Sequence, residues 1–270
     1  MAGIHSSAIV EDGAVLGADV HIGPFCLVGH RARLHDGVRL DSNVVVAGET
    51  EIGARTRVHA HAVLGGGPQF RGDDGSTARL VIGVDNVIRE CVTMNGGSVK
   101  GGGLTSIGDR GYFMAYSHVA HDCHIGNGVT FANGVALGGH VTIEDGVNIG
   151  GLSAIQQYGR IGRNAFVGGV TGVPDDVIPF GMVWGDHARL EGLNLIGLKR
   201  NGVPRERIHA LRAAFRFIFF EAGHLHDRAR EAALRWKDSP EVAEVVAFIL
   251  APAKRPICMP SRTARPDVAD

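Results

Sequence analysis

A three-sided solenoid of short parallel strands, followed by a helical segment, is the fold that this sequence predicts, and three observations predict it. Counting in sixes from Ile107 to Val173 lands on a large apolar residue at each of twelve consecutive positions, among them Phe113, Val119, Ile125, Phe131 and Ile143. An α-helix repeats near 3.6 residues and a plain strand near 2, so a sustained period of six implies short straight segments joined by corners, one aliphatic per segment facing inward. The same step fills ten more positions from Val10 to Leu64. Finally, 40 glycines without a three-residue period, beside 6% aromatic and 44% hydrophobic residues, suit many tight corners around an aliphatic core rather than a collagen-like or disordered chain.

The residue four past each aliphatic is usually small or β-branched, as at Ala14, Val20, Cys26, Thr50, Thr56 and Ala62. Gly often follows the aliphatic directly, as in Leu16-Gly17 and Ile52-Gly53. These are features of the hexapeptide repeat, in which three hexads close one triangular coil. With Ile82, Ile88 and Met94 between the two long series, 25 filled positions make about eight coils, and the solenoid is expected over residues 1–188. Two glycine-rich polar insertions interrupt it, at 65–79 and 95–104. In a repeat protein such insertions project from one face and commonly carry function.

Past Val173 the prolines at 174 and 179 mark an exit, and from Pro204 the period becomes helical. Ile208, Leu211, Phe215, Ile218 and Phe219 share one side of a helix predicted over 204–222, with Pro at its start and Gly223 past its end. Further helices are predicted over 225–237 and from Ser239-Pro240 to near Pro252, so that 189–252 forms an α-helical unit capping the solenoid. Residues 253–270, with three prolines and no apolar period, read as a loosely ordered tail.

A formal charge of −1 excludes a chain-wide basic surface, and no nucleic-acid partner is expected. From Arg189 onward 15 Lys and Arg face 10 Asp and Glu, which suits either an acidic partner or a merely solvated surface. The four cysteines form no CxxC pair and read as buried thiols in a reducing compartment. No apolar run approaches the roughly 20 residues of a membrane helix, and no basic patch leads into an apolar stretch at the N-terminus. The sequence thus predicts a cytoplasmic protein without an integral membrane segment.

Chemistry is expected around His118-Val119-Ala120-His121-Asp122-Cys123-His124, with Gly138-Gly139-His140 one coil further on. A neutral imidazole at His121 can take a hydroxyl proton near neutral pH, and a carboxylate such as Asp122 can fix its tautomer and stabilise the imidazolium. A backbone N–H at Gly139 could face a developing oxyanion. That set suits acyl transfer to a hydroxyl. The residues alone leave two alternatives: solvated corner histidines, or a zinc site joining His118, His121 and His140 across subunits.

The two hexad blocks, the two insertions, the His118-x-x-His121-Asp122-Cys123 and Gly138-Gly139-His140-Val141 motifs, the glycine pairs Gly150-Gly151 and Gly168-Gly169, and the Gly197-Leu198-Lys199-Arg200 segment resemble one family. It is the acyl-carrier-protein-dependent UDP-N-acetylglucosamine O-acyltransferases, and the resemblance runs from residue 4 to about 250. It implies a left-handed parallel β-helix, a homotrimer with active sites in the clefts between solenoids, and the first step of lipid A biosynthesis. Acyl carrier protein is then the acyl donor and a nucleotide sugar the acceptor, with no cofactor and no metal. By the same resemblance His121 is the general base, Asp122 its partner and Gly139 the oxyanion donor. His118, His140, Gln69 and Gln157 are implied as substrate contacts, Asn194 and Arg200 as residues near the nucleotide, and Gly169 as the floor of an acyl-chain groove.

The chain departs from the family pattern around the sugar. Phe70 and Gly72 stand where an acidic residue and a lysine are usual, Asn95 and Gln156 where histidines are usual, and Ile196 where a glutamate is usual. These departures leave open an acceptor with a 3-amino group or another nucleotide sugar. More distant readings are a γ-type carbonic anhydrase-like metal site and a non-catalytic scaffold that binds carrier protein.

Overall fold

The computed structural model describes residues 3–73 and 78–261. Within them each hexad becomes a two-residue strand whose second residue faces inward, and successive strands go to different sheets. Strand Tyr112–Phe113, for example, pairs in parallel with Val87–Ile88 of the coil before and Thr130–Phe131 of the coil after. Inward residues therefore stack in columns such as Ile88, Phe113, Phe131, Ile149 and Val167. All twelve sixth positions from Ile107 to Val173 are buried. Among the described residues the coils form three sheets, of eleven, nine and eight strands.

A coil this small must turn sharply at three corners, and many corners use the left-handed backbone region. Asp122 (φ 59°), His140 (φ 61°) and Tyr158 (φ 66°) occupy one column of such corners, 18 residues apart. A non-glycine residue there costs roughly 1–2 kcal/mol. The strain is held by a corner ladder: the His140 N–H donates to the His121 carbonyl (3.0 Å) and the Tyr158 N–H to that of Gly139 (3.0 Å).

Strand Val63–Gly66 leads into the first insertion, and Arg79 begins the strand that re-enters the solenoid, with 74–77 outside the described residues. Gly65 (φ +80°) admits no side chain, since a Cβ would lie 2.2 Å from the Ala47 carbonyl oxygen. The second insertion leaves strand Thr93–Asn95, makes one 3-10 turn at Val99–Gly101 and returns at Leu104–Ile107.

Four features differ from the sequence expectations. Strand pairing continues past 188: strand Gly181–Trp184 extends the parallel ladder, and Arg189–Leu193 folds back antiparallel on it. An additional short helix α1 (Leu195–Arg200) follows, before α2 (Arg205–Phe220), α3 (Leu225–Arg235) and α4 (Pro240–Leu250) at the three predicted places. Cys91 is only half-buried, at a left-handed corner, whereas Cys26, Cys123 and Cys258 are buried, and all four thiols are free.

The fourth difference is the segment after α4, which is docked rather than loose up to residue 261. The Asp176 N–H donates to the Pro256 carbonyl, and the Cys258 N–H to that of Asp176, both at 2.8 Å. After Val173 the chain is two residues short of a full coil, so that Val177 pairs with Ile161 and Asp176 lies level with Arg160. The Gln157 carbonyl, next in line after those of His121 and Gly139 in the corner ladder, accepts from the Arg255 Nε (3.0 Å). The strap thus closes the ladder where the coil ends. Prolines remove donors without preventing a carbonyl from accepting, so composition alone did not reveal the docking. Residues 262–270 lie outside the described residues.

The helices seat on the last coil through Ile178, Leu193, Leu211, Ala214, Ile218, Val242 and Val245, all buried. Arg160 joins them: its Nε pairs with the fully buried Asp176 at 2.7 Å, and its guanidinium lies 4.3 Å from the Phe248 ring centroid. Breaking a buried ion pair strands a charge, so Arg160→Ala should destabilise the fold by about 3–5 kcal/mol, while Arg160→Met with Asp176→Leu should recover most of that loss. Urea unfolding of the two variants checks this.

Candidate active site

The site begins at a corner. Strand His118–Val119 ends one sheet and His124–Ile125 begins the next, so His121 and Asp122 lie on the turn between them. The left-handed backbone at Asp122 turns its carboxylate inward, where it is buried among donors. Ser98, from the second insertion, gives Oδ1 its N–H (2.9 Å) and Oδ2 its hydroxyl (2.5 Å). The Asp122 N–H donates to the Thr105 hydroxyl (2.8 Å). Burial pushes the carboxyl up, but the Ser98 hydroxyl, His121 and the Ser98 N–H outweigh it and hold it below its ordinary value.

His121 Nδ1 lies 2.7 Å from Asp122 Oδ2. An ionised carboxylate only accepts, so Nδ1 carries the proton and the Nε2 lone pair is free. Gly139, one coil on, is pressed against that ring, and a Cβ there would lie 2.6 Å from His121 Cε1. Its carbonyl serves the corner ladder, while its N–H donates to no acceptor among the described residues. The Phe70 ring covers His121 from the first insertion at 5.1 Å between centroids. His140 meets His121 edge-on at 5.2 Å, and its Nε2 is 3.7 Å from Asp122 Oδ2.

His118 faces elsewhere. Its Nδ1 is 2.7 Å from the Thr93 hydroxyl, and burial, then His121, keep it below the ordinary imidazole value. The trio expected for zinc is therefore not assembled within one chain; His121, Asp122 and His140 converge instead, with ligand atoms within 4.8 Å of one another. Asn95 is buried, donating to the Gly67 carbonyl (2.8 Å), with its Oδ1 unpartnered among the described residues.

The remaining expected contacts are spread out. Gln69, Gln156 and Gln157 are exposed. Gly169 is an exposed glycine whose added Cβ would meet nothing closer than the Gly151 oxygen at 3.4 Å, and Tyr116, Leu152 and Val170 form an exposed apolar ridge along the adjacent corner column. Asn194 caps α1, accepting from the Gly197 N–H and donating to the Asn164 carbonyl, and Arg200 is exposed at the end of that helix. Among the described residues neither bonds to the histidine group. Ser98, Thr105, Thr93 and Tyr158 were missed by the sequence reading, although Tyr158 is one coil beyond His140 and could have been found by adding 18.

Comparison with known proteins decides the family. A protein of Caulobacter vibrioides named acyl-(acyl-carrier-protein)–UDP-N-acetylglucosamine O-acyltransferase is 51% identical over 259 residues, covering 96% of this chain and 98% of the relative. The chain belongs to this acyltransferase family. A Rhizobium johnstonii protein of the same name is 46% identical, covering 96% of this chain and 95% of its own. The solved UDP-N-acetylglucosamine acyltransferase of Campylobacter jejuni superposes with a TM-score of 0.90 at 35% identity, covering 96% of this chain and all of that one. Residues 176–258 match the family described as UDP N-acetylglucosamine O-acyltransferase, domain 2, and 31–66 the bacterial transferase hexapeptide family. The solenoid is the left-handed parallel β-helix of these acyltransferases, and the chain is an O-acyltransferase rather than a metal-dependent hydrase or an inert scaffold.

Gly139 is the sharpest test of the geometry. Its backbone tolerates a side chain, but an added methyl would displace the His121 ring. Displacing a reacting group by about 1 Å can cost on the order of 10²-fold in rate. Gly139→Ala should therefore lower turnover by about that factor with little change in melting temperature.

Proposed function

We propose that the enzyme moves an acyl group, 3-hydroxylated or not, from acyl carrier protein to the 3-hydroxyl of UDP-N-acetylglucosamine, the first step of lipid A biosynthesis, with His121 as general base. The observation that carries this reading is the 2.7 Å contact between His121 Nδ1 and Asp122, because it frees Nε2 to act. In the mechanism, Nε2 takes the proton of the sugar hydroxyl, and the oxygen attacks the thioester carbonyl. The Gly139 N–H donates to the tetrahedral oxyanion, a contribution of about 3 kcal/mol for such a donor. The C–S bond then breaks, and the departing thiolate takes the proton back from the His121 imidazolium. Asp122 stabilises that imidazolium throughout, and general-base assistance contributes about 10²- to 10⁴-fold.

His118, His140, Gln69 and Gln157 are proposed to hold the acceptor, and Asn194 and Arg200 to lie near the nucleotide. A homotrimer with the site in the cleft between neighbouring solenoids accounts for the distance of α1 from the histidines. The glycine column at 151 and 169, beside the ridge of Leu152 and Val170, supports an acyl groove in that cleft. Four free thiols, and no described helix long and apolar enough to cross a membrane, suit work in the cytoplasm.

A second reading keeps the base and changes the acceptor to a 3-amino sugar. Phe70 favours it, since an aromatic ring against His121 makes the mouth of the site less polar and disfavours an ammonium over the nucleophilic free amine.

Three experiments test these readings. His121→Ala should abolish transfer without moving the melting temperature; retained turnover removes His121 from the mechanism. Mass analysis of products from UDP-N-acetylglucosamine and its 3-amino analogue reads the acceptor directly, as ester or amide. Gly169→Met, whose side chain would lie in the groove, should shift donor preference to shorter acyl chains in the same assay, and an unchanged chain-length profile counts against the groove.

A further inference from the structure

The corner column that carries Asp122 and His140 does not end at the histidines. The Tyr158 ring stacks on His140 at 4.6 Å with only 10° between planes. Over Tyr158 in turn lies Lys254, its ammonium 3.9 Å from the ring centroid, a cation–π contact. Lys254 is not free to wander, for it sits on the docked strap. The next residue, Arg255, holds the Gln157 carbonyl, and Pro256 and Cys258 are bonded to Asp176. Three contacts thus run from the strap to the proposed reaction centre, joining Lys254 to Tyr158, Tyr158 to His140 and His140 to His121.

His140 is the sensitive member. Its Nε2 is 3.7 Å from the same Asp122 oxygen that accepts from His121. A protonated His140 would draw on that carboxylate and set a positive charge beside the proposed base. A neutral, fixed His140 does neither.

We propose that Lys254 is a positioning residue of the acyl-transfer site, fixing the His140 ring through Tyr158 and so leaving Asp122 to His121 alone. The proposal rests on His121 being the base. The charged and titratable groups around His140 agree with it. From the solenoid corner come Asp122, His121 and His124, and from the strap comes Lys254. Burial is the largest influence and opposes protonation; Asp122 favours it, while His121, Lys254 and His124 oppose it, and His140 sits below its ordinary value. Removing the ammonium removes one opposing charge, so His140 would take up its proton at higher pH.

The test compares full-length Lys254→Met and Lys254→Arg with the unaltered enzyme. The first readout is the NMR titration of the His140 ring without substrates, its signal assigned through His140→Gln. The second is kcat and KM across pH with acyl carrier thioester and UDP-N-acetylglucosamine. In Lys254→Met the His140 midpoint should rise by about half a pH unit. The acid limb of kcat should move up with it, kcat at neutral pH should fall roughly fivefold with both KM values held, and Lys254→Arg should restore all three. An unmoved His140 midpoint overturns the proposal. So does a rise in KM for one substrate at unchanged kcat, which would make Lys254 a substrate contact. If the unaltered enzyme acylates no sugar, the proposed function fails, while the ring titration still reports on the column.

Discussion

The left-handed corner is the constraint on which the structure depends. Each coil must turn three times within about 18 residues, and the turn at the candidate active site uses a backbone conformation that a non-glycine residue resists. Once that cost is met at Asp122, the same corner recurs at His140 and Tyr158, and the ladder of N–H and carbonyl groups fixes the spacing between them. Side chains at equivalent corners then point the same way from coils stacked one strand spacing apart, about 4.8 Å. An imidazole on one coil and a glycine on the next are thereby pressed together without any residue dedicated to bringing them there.

The corner alone does not make a reaction centre, because a carboxylate turned inward loses its water. Ser98 compensates with two donors, and Ser98 belongs to the second insertion. Gly101 explains why that insertion is so rich in glycine: a Cβ there would lie 2.1 Å from the Asp122 carboxylate. The excursion packs its backbone against Asp122, and any side chain would break the contact. The first insertion contributes from the other direction, with Phe70 on the face of His121.

How much of this could be read in the sequence follows from what is periodic. The sixth-position aliphatics are, so the solenoid and its inward columns were legible from Val10 to Val173. His121, Asp122 and Gly139 were legible as a set because the two histidine motifs are one coil apart, although their roles came from a family resemblance. Ser98 was not, since it lies in an insertion where the period is suspended. The strap was missed for a related reason: its bonds to Asp176 join positions some 80 residues apart that share no repeat. Asn194 was read as a nucleotide contact, yet its amide caps α1, a local role that its place before Leu195-Ile196-Gly197 would also have suggested.

Two buried aspartates of the solenoid, Asp122 and Asp176, offer an internal comparison. Asp176 is paired with Arg160, a cation at every relevant pH, and sits where the strap and helices seal the solenoid. Burial is its dominant influence and raises its carboxyl in spite of the arginine, so this ion pair orders the end of the β-helix without being strongly stabilised as a charge. Asp122 is surrounded instead by neutral donors and an imidazole, which together hold it ionised while leaving it no permanent cation. A carboxylate in that state gains most when the imidazole beside it becomes charged. With His121 as the proposed base, that gain arises only during proton transfer, which is where binding energy accelerates a reaction rather than merely holding a substrate. One aspartate thus seals the fold and the other suits the proposed base, and the difference is whether the partner's charge is fixed or can change.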